Sequence, residues 1–144
     1  MPVYKVMRVV TERLKLAPTI EMKMIDITKE VQALLGASAL KDGQATVFVP
    51  GSTAAVVLME FEAGLERDVR DMLERLIPKG TYQHNQAWAD GNGFSHVRAA
   101  FLKPSVAVPF ANGDLMLGQW QQIVFIELDN KKRERELIIQ FMGE

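Results

Sequence analysis

Between Gly80 and Arg98 the chain carries both of its histidines, His84 and His96, among Asn85, Asp90, Asn92, Ser95 and Arg98. Imidazole is the side chain that titrates at about pH 5 to 8 without help from its surroundings, and it is also the commonest metal ligand. Two of them in one polar stretch point to proton transfer or to metal binding. As a metal site, His84 and His96 with Asp90, or with Glu60 from the preceding strand, supply two nitrogens and a carboxylate and leave a position open for water or substrate. A divalent ion, Zn or Mg, is therefore the candidate cofactor. The twelve-residue spacing matches no standard ligand signature. Two loop histidines hydrogen-bonded to backbone is the alternative reading.

Two other stretches have chemical potential. Gly51, Ser52 and Thr53 follow Pro50 where an apolar run breaks, so amides and two hydroxyls can converge on one anion. With no Lys and no helix opening after it, this is not a Walker motif, and a plain turn between strands is the other reading. Gly118-Gln119-Trp120-Gln121-Gln122 offers an indole face to stack on a flat ring and amides to read its edge, unless the Trp is simply core. The mixed charges of Lys131 to Glu136 read as a solvated turn.

The elements that must position these residues follow from periodicity. Tyr4 to Thr11 fits a strand; Ile20, Met22 and Met24 alternate with charged residues as a half-buried second one. Thr28 can cap a short helix with Val31, Leu34 and Leu35 on one face, ending near Gly36 or Ser38. Ala45 to Val49 and Ala54 to Glu60 read as strands. Leu65, Val69, Met72, Leu73 and Leu76 make an amphipathic helix that Pro78 stops. From Lys79 to Arg98 the pattern vanishes apart from a single turn near Ser95, and so long a structureless loop is usually a working one. Ser105 to Val108, a hairpin turn at Asn112-Gly113, a strand from Trp120 to Leu128 and a last strand from Glu136 to Met142 suggest a C-terminal antiparallel meander.

This order predicts one α+β domain over residues 1–144, with about seven strands in a mixed, mostly antiparallel sheet and two main helices. So few helices leave sheet uncovered, which predicts a curled sheet or an oligomer. Seventeen basic against eighteen acidic residues remove the electrostatic footprint of a dedicated nucleic-acid binder. The absence of cysteine excludes disulfides, thiolate nucleophiles and Cys-ligated metals. No apolar run is long enough for a bilayer and the N-terminus does not read as a signal peptide, so no membrane partner is expected and the default location is the cytoplasm.

Gly51-Ser-Thr-Ala-Ala with Glu60, the His84 to His96 loop running into Val97-Arg98-Ala99-Ala100, Gly118-Gln-Trp-Gln-Gln122 and the closing Ile139-Gln140 occur in an order that resembles the YjbQ-like family, described as secondary thiamine-phosphate synthases. The resemblance covers essentially the whole chain. It implies a sheet curled into a half-barrel and a homotrimer with sites near subunit boundaries. It further implies a reaction in which a hydroxymethylpyrimidine diphosphate joins a thiazole phosphate with loss of diphosphate. On that pattern His84, Asp90, Asn92, Ser95 and His96 form the polar site, with Glu60, Ser52 and Thr53 nearby and Trp120 and Gln121 on the next wall. Carried over, Gly51, Ser52 and Thr53 cradle phosphate, Arg98 and a divalent ion at Asp90 balance the leaving charge, Trp120 stacks on the pyrimidine and His96 serves the leaving oxygens. Gly51 departs from the pattern, standing where many relatives have histidine. Metal-assisted hydrolysis of a small phosphorylated metabolite, or metabolite and metal binding by a trimer without catalysis, are the competing functions.

Overall fold

The computed structural model describes all 144 residues. In chain order the elements are β1 (Arg8–Lys15), β2 (Met24–Asp26), α1 (Thr28–Ser38), β3 (Gly43–Phe48), β4 (Ala54–Met59), α2 (Ala63–Leu76), α3 (His84–Ala87), α4 (Gly93–Leu102), β5 (Ser105–Ala111), β6 (Asp114–Leu115), β7 (Gln122–Glu127) and β8 (Glu136–Gly143). Eight strands form two sheets, one ordered β1-β8-β3-β5-β6 and the other β2-β7-β4. Every strand pairing is antiparallel, so the expected mixed character is corrected. The α+β class and the curled half-barrel stand.

The alternation of side chains across β7 explains how the layers stack. It lies between β2 and β4, and Ile123 to Glu127 and the following Leu128 are all buried, as a strand covered on both faces requires. Ile123 and Phe125 face a core with Val31 and Leu35 of α1 and with Val47, Ile139 and Phe141 of the larger sheet. Val124, Ile126 and Leu128 face the other way, onto Leu73 of α2, Ala99 of α4 and Met22. Both sheets and the inner face of α1 therefore share one core, and α2 and α4 cover the opposite face of the smaller sheet.

Several expectations change. The C-terminal third is not a meander: β5 and β6 form the Asn112-Gly113 hairpin, but β7 crosses to the smaller sheet and β8 returns to lie between β1 and β3. The first strand begins at Arg8, and Met22 sits in a turn before β2. The segment 79–98 is not structureless, because α3 and the ten-residue α4 occupy much of it. Trp120 lies in the turn before β7, two-thirds exposed, and not in the strand. Pro50-Gly51-Ser52 links β3 to β4, but these lie in different sheets, so it is a crossing between layers and not a hairpin turn. No helix is long and apolar enough to cross a membrane.

Candidate functional site

Helix α4 buries polar side chains beside the apolar Phe94 and Ala99. Asn92 at its start, Ser95 and Arg98 are buried, while Val97 and Phe101 are exposed. Because α4 packs on β4, its first turn is brought beside the Gly51-Ser52 crossing at the start of that strand. His96 with Gly51, Ser52, Ala54, Ala99, Ala100 and Pro104 lines a pocket of about 380 Å³, within the size range of small-molecule sites. His84, from α3, lies against His96 with ring centroids 4.3 Å apart and planes tilted by 38°.

Around this pair the polar atoms are incompletely used. Seven buried side-chain oxygens and nitrogens in the molecule lack a hydrogen-bond partner, and five of them are His84 Nδ1, Asp90 Oδ1, Asn92 Oδ1, Ser95 Oγ and Asn130 Oδ1. Buried polar groups are ordinarily hydrogen-bonded, and five of the seven exceptions fall between His84 and Ser95 or at Asn130. Burial holds His96 below the ordinary imidazole value, and the neighbouring His84 pushes in the same direction against the opposing pull of Asp129 and Asp90. His96 is thus neutral at pH 7, and an anion seated beside it would favour its protonation.

Beneath the pocket runs a buried charge network. Glu127 and Asp129 are fully buried at the end of β7. The Arg135 guanidinium donates to both oxygens of Glu127, and the Thr19 hydroxyl donates to Oε2. Asp129 accepts from Arg133 Nε at 2.7 Å, from the Thr53 hydroxyl at 2.9 Å and, more distantly, from Asn92 Nδ2 at 3.4 Å. Burial raises the Asp129 pKa, but these donors outweigh it and hold the carboxyl below its usual range. The network ties the anion loop, through Thr53, to the start of α4, through Asn92.

The structure therefore gathers His84, Asn92, Ser95, His96, Gly51, Ser52 and Thr53 at one end of β4, although the Thr53 hydroxyl is spent on Asp129, and Asp90 opens onto a separate pocket with Trp88, Ala89 and Lys131. Others lie elsewhere. Glu60 follows the far end of β4, and Trp120 and Gln121 precede β7 at that same end, since Met59 pairs with Gln122. Along the strand that is roughly 16 Å away, so within one chain Trp120 does not stack on a ring in the histidine pocket. Gln121 lines a different pocket, between α1 and the turn before β7. Arg98 is buried with its guanidinium turned from the pocket: Nε donates to the Ile77 carbonyl at 2.9 Å, and the group lies over the Phe94 ring. It joins α4 to the end of α2 and does not meet phosphate. No three His, Asp or Glu side chains converge on a possible ion. Within one chain Glu60, beyond the far end of β4, does not join His84, His96 and Asp90.

Sequence reading missed Glu127, Asp129, Asn130, Arg133 and Arg135. The available signal was two acids, Glu127 and Asp129, embedded in the apolar run of β7, with two arginines spaced to answer them.

A pH dependence follows. A histidine with a folded pKa below its unfolded value contributes stability that is complete above about pH 6.5 and is lost as pH falls through the folded value. The His96→Gln protein should therefore lose less stability than wild type between pH 7.5 and 5, read from urea midpoints; equal slopes would contradict the burial of neutral His96. Asp129 acts in a lower window, its contribution present above roughly pH 4 and lost below it.

With this geometry in place, comparison with known proteins is informative. Residues 12–144 match the family described as UPF0047 protein YjbQ-like. A UPF0047 protein of Methanothermobacter thermautotrophicus is 39% identical over 130 residues, covering 90% of each chain. The UPF0047 protein YugU of Bacillus subtilis is 34% identical over 132 residues, 90% of this chain and 97% of the relative. A crystal structure described as a YbjQ-like protein of unknown function from Sulfolobus solfataricus superposes with TM-score 0.90 at 29% identity, covering 96% of this chain and all of that one. With a family match over nearly the whole sequence and relatives above 30% identity, the chain belongs to the YjbQ-like UPF0047 family.

Proposed function

We propose that the pocket between the Gly51-Ser52 crossing and α4 binds a small phosphorylated metabolite and that the chain is a transferase of the thiamine-phosphate synthase type. The observation that supports this most is the grouping of a paired, partly buried imidazole with unpartnered polar atoms beside a loop of small residues. In the reaction, the methylene C–O bond of a hydroxymethylpyrimidine diphosphate breaks and its electron pair leaves with diphosphate. The thiazole nitrogen then supplies the pair for the new C–N bond. Catalysis asks the protein to receive the negative charge on the leaving oxygens and to hold the two rings in line. Ser52 and the backbone around it meet the phosphate, and His96, lining the same pocket, donates a hydrogen bond to the leaving oxygen. His84 tunes the basicity of His96 from beside it, and the buried Asn92 and Ser95 lie in the same stretch of chain, behind the pocket lining.

The exposed apolar residues Val9, Phe48 and Met142 on the outer face of the larger sheet, which no helix covers, support assembly with further copies as a homotrimer. The function is tested by following phosphorus-containing products with each substrate alone and with both. Diphosphate release and product that require both substrates are expected. Phosphate released from one substrate alone would replace the proposal with hydrolysis, and binding without turnover would replace it with a metabolite-binding role.

A further inference from the structure

The charged segment after β7 ends against the anion loop. Arg135 is only 8% exposed, and its guanidinium is clamped. Nε donates to Glu127 Oε2 at 2.8 Å and Nη2 to Glu127 Oε1 at 2.6 Å. Nη2 also donates to the Thr53 hydroxyl at 2.8 Å and to the Thr53 carbonyl at 3.3 Å. The remaining amino group, Nη1, takes part in none of these bonds. It stands over Gly51: a Cβ added to that glycine would lie 2.7 Å from Nη1, closer than atoms of a relaxed structure approach. Gly51 in turn is one of the residues that line the histidine pocket, and its φ of +144° is a backbone conformation that disfavours other residues.

We infer that Arg135 is a specificity-determining residue of this pocket, presenting Nη1 across the bare Cα of Gly51 to a phosphate or diphosphate group seated at Gly51 and Ser52. This rests on the anion-binding part of the function proposed above. A buried cation is retained only when paired, and Glu127 provides that pairing through a two-point fork. The same fork fixes the guanidinium plane, so the free amino group is aimed before a ligand arrives and little order is lost on binding. Arginine suits this task because its several N–H donors can satisfy a carboxylate on one side and phosphate oxygens on another. Gly51 belongs to the same device. Any side chain there would stand between Nη1 and the ligand, and the clamp prevents Arg135 from moving aside.

Calorimetric titration of inorganic pyrophosphate into the purified full chain tests the inference, with three variants whose folding is checked by thermal melting. Arg135→Lys keeps a cation opposite Glu127 but withdraws the free amino group. The double variant Glu127→Met with Arg135→Met removes one charge of each sign, so the net charge is unchanged. Gly51→Ala alters no charge; its Cβ intrudes on the approach to Nη1 and strains a backbone held at φ +144°, a cost the melting check reads separately from binding. Each is expected to raise the dissociation constant for pyrophosphate about tenfold, the scale of one lost charge-assisted hydrogen bond, at unchanged stoichiometry. Folded variants that bind pyrophosphate as wild type does would overturn the inference and leave the anion pocket standing. A fall in stoichiometry at unchanged affinity would likewise overturn it, reducing Arg135 to a structural tie. If wild type itself takes up no pyrophosphate, the anion pocket fails and the role of Arg135 falls with it.

Discussion

The His96→Ala variant is expected to lose about 10² to 10⁴ in kcat for the coupling reaction, the usual contribution of a positioned acid–base group, with a smaller change in KM. His96 is the imidazole that lines the pocket with Gly51 and Ser52, whereas His84 meets the pocket only through its contact with the His96 ring. The two should therefore differ in kind. Because His84 is one of the influences that lowers the His96 pKa, second to burial, His84→Ala should move the His96-dependent limb of the pH–rate profile upward and cost less in kcat. Equal losses in both variants with no movement of the profile would contradict this division of roles. Full turnover in His96→Ala would remove His96 from the chemistry.

The largest effect on stability is expected from breaking the pair beneath the pocket. Arg135→Met alone leaves Glu127 fully buried with only the Thr19 hydroxyl and the Asp129 amide as donors. Removing one partner of a buried ion pair in this way costs about 3 to 5 kcal/mol. That is a large share of the 5 to 15 kcal/mol that typically holds a domain together. Replacing both members, Glu127→Met with Arg135→Met, removes the uncompensated charge and should recover most of the loss, to within about 2 kcal/mol of wild type. Urea unfolding of the two single variants and the double variant measures this directly. Additive losses would mean that the two residues act independently, against the bidentate geometry.

Where apolar periodicity and burial coincide, the fold was readable from the chain. The stripe of Leu65, Val69, Met72, Leu73 and Leu76 became α2, and Thr28 to Ser38 became α1 with Val31 and Leu35 inward. Helix α4 was hidden because its buried stripe mixes types: Ser95 and Arg98 go inside with Phe94 and Ala99, while Val97 and Phe101 go outside. A stripe interrupted by polar residues gives no clean 3.6-residue apolar signal, and Arg98 is inside because it anchors the helix to the end of α2. The crossing of β7 to a second sheet was equally invisible, since hairpin signals report neighbouring strands and not those paired across the fold.

The histidines, the small-residue loop and Asp90 to Ser95 were legible as chemistry because their types are unusual in a loop. Trp120, Gln121 and Glu60 were grouped with them by resemblance, and the register of β4 on β7 separates them within one chain. Arg135 was read as solvent-facing because a mixed-charge run usually is. Its burial depends on Glu127 eight residues earlier, a pairing that only the turn after β7 creates.

The central claim is that one pocket, bounded by Gly51, Ser52 and His96, receives the phosphorylated substrate. With only two histidines in the chain, the imidazole resonances in a proton–nitrogen NMR spectrum can be assigned with one variant and followed during titration with hydroxymethylpyrimidine diphosphate. The account predicts a saturable shift of the His96 ring, a rise in its pKa as the anion binds, and a smaller response at His84. A spectrum in which both rings keep their positions and their titration while the substrate binds would place the ligand elsewhere and contradict the account.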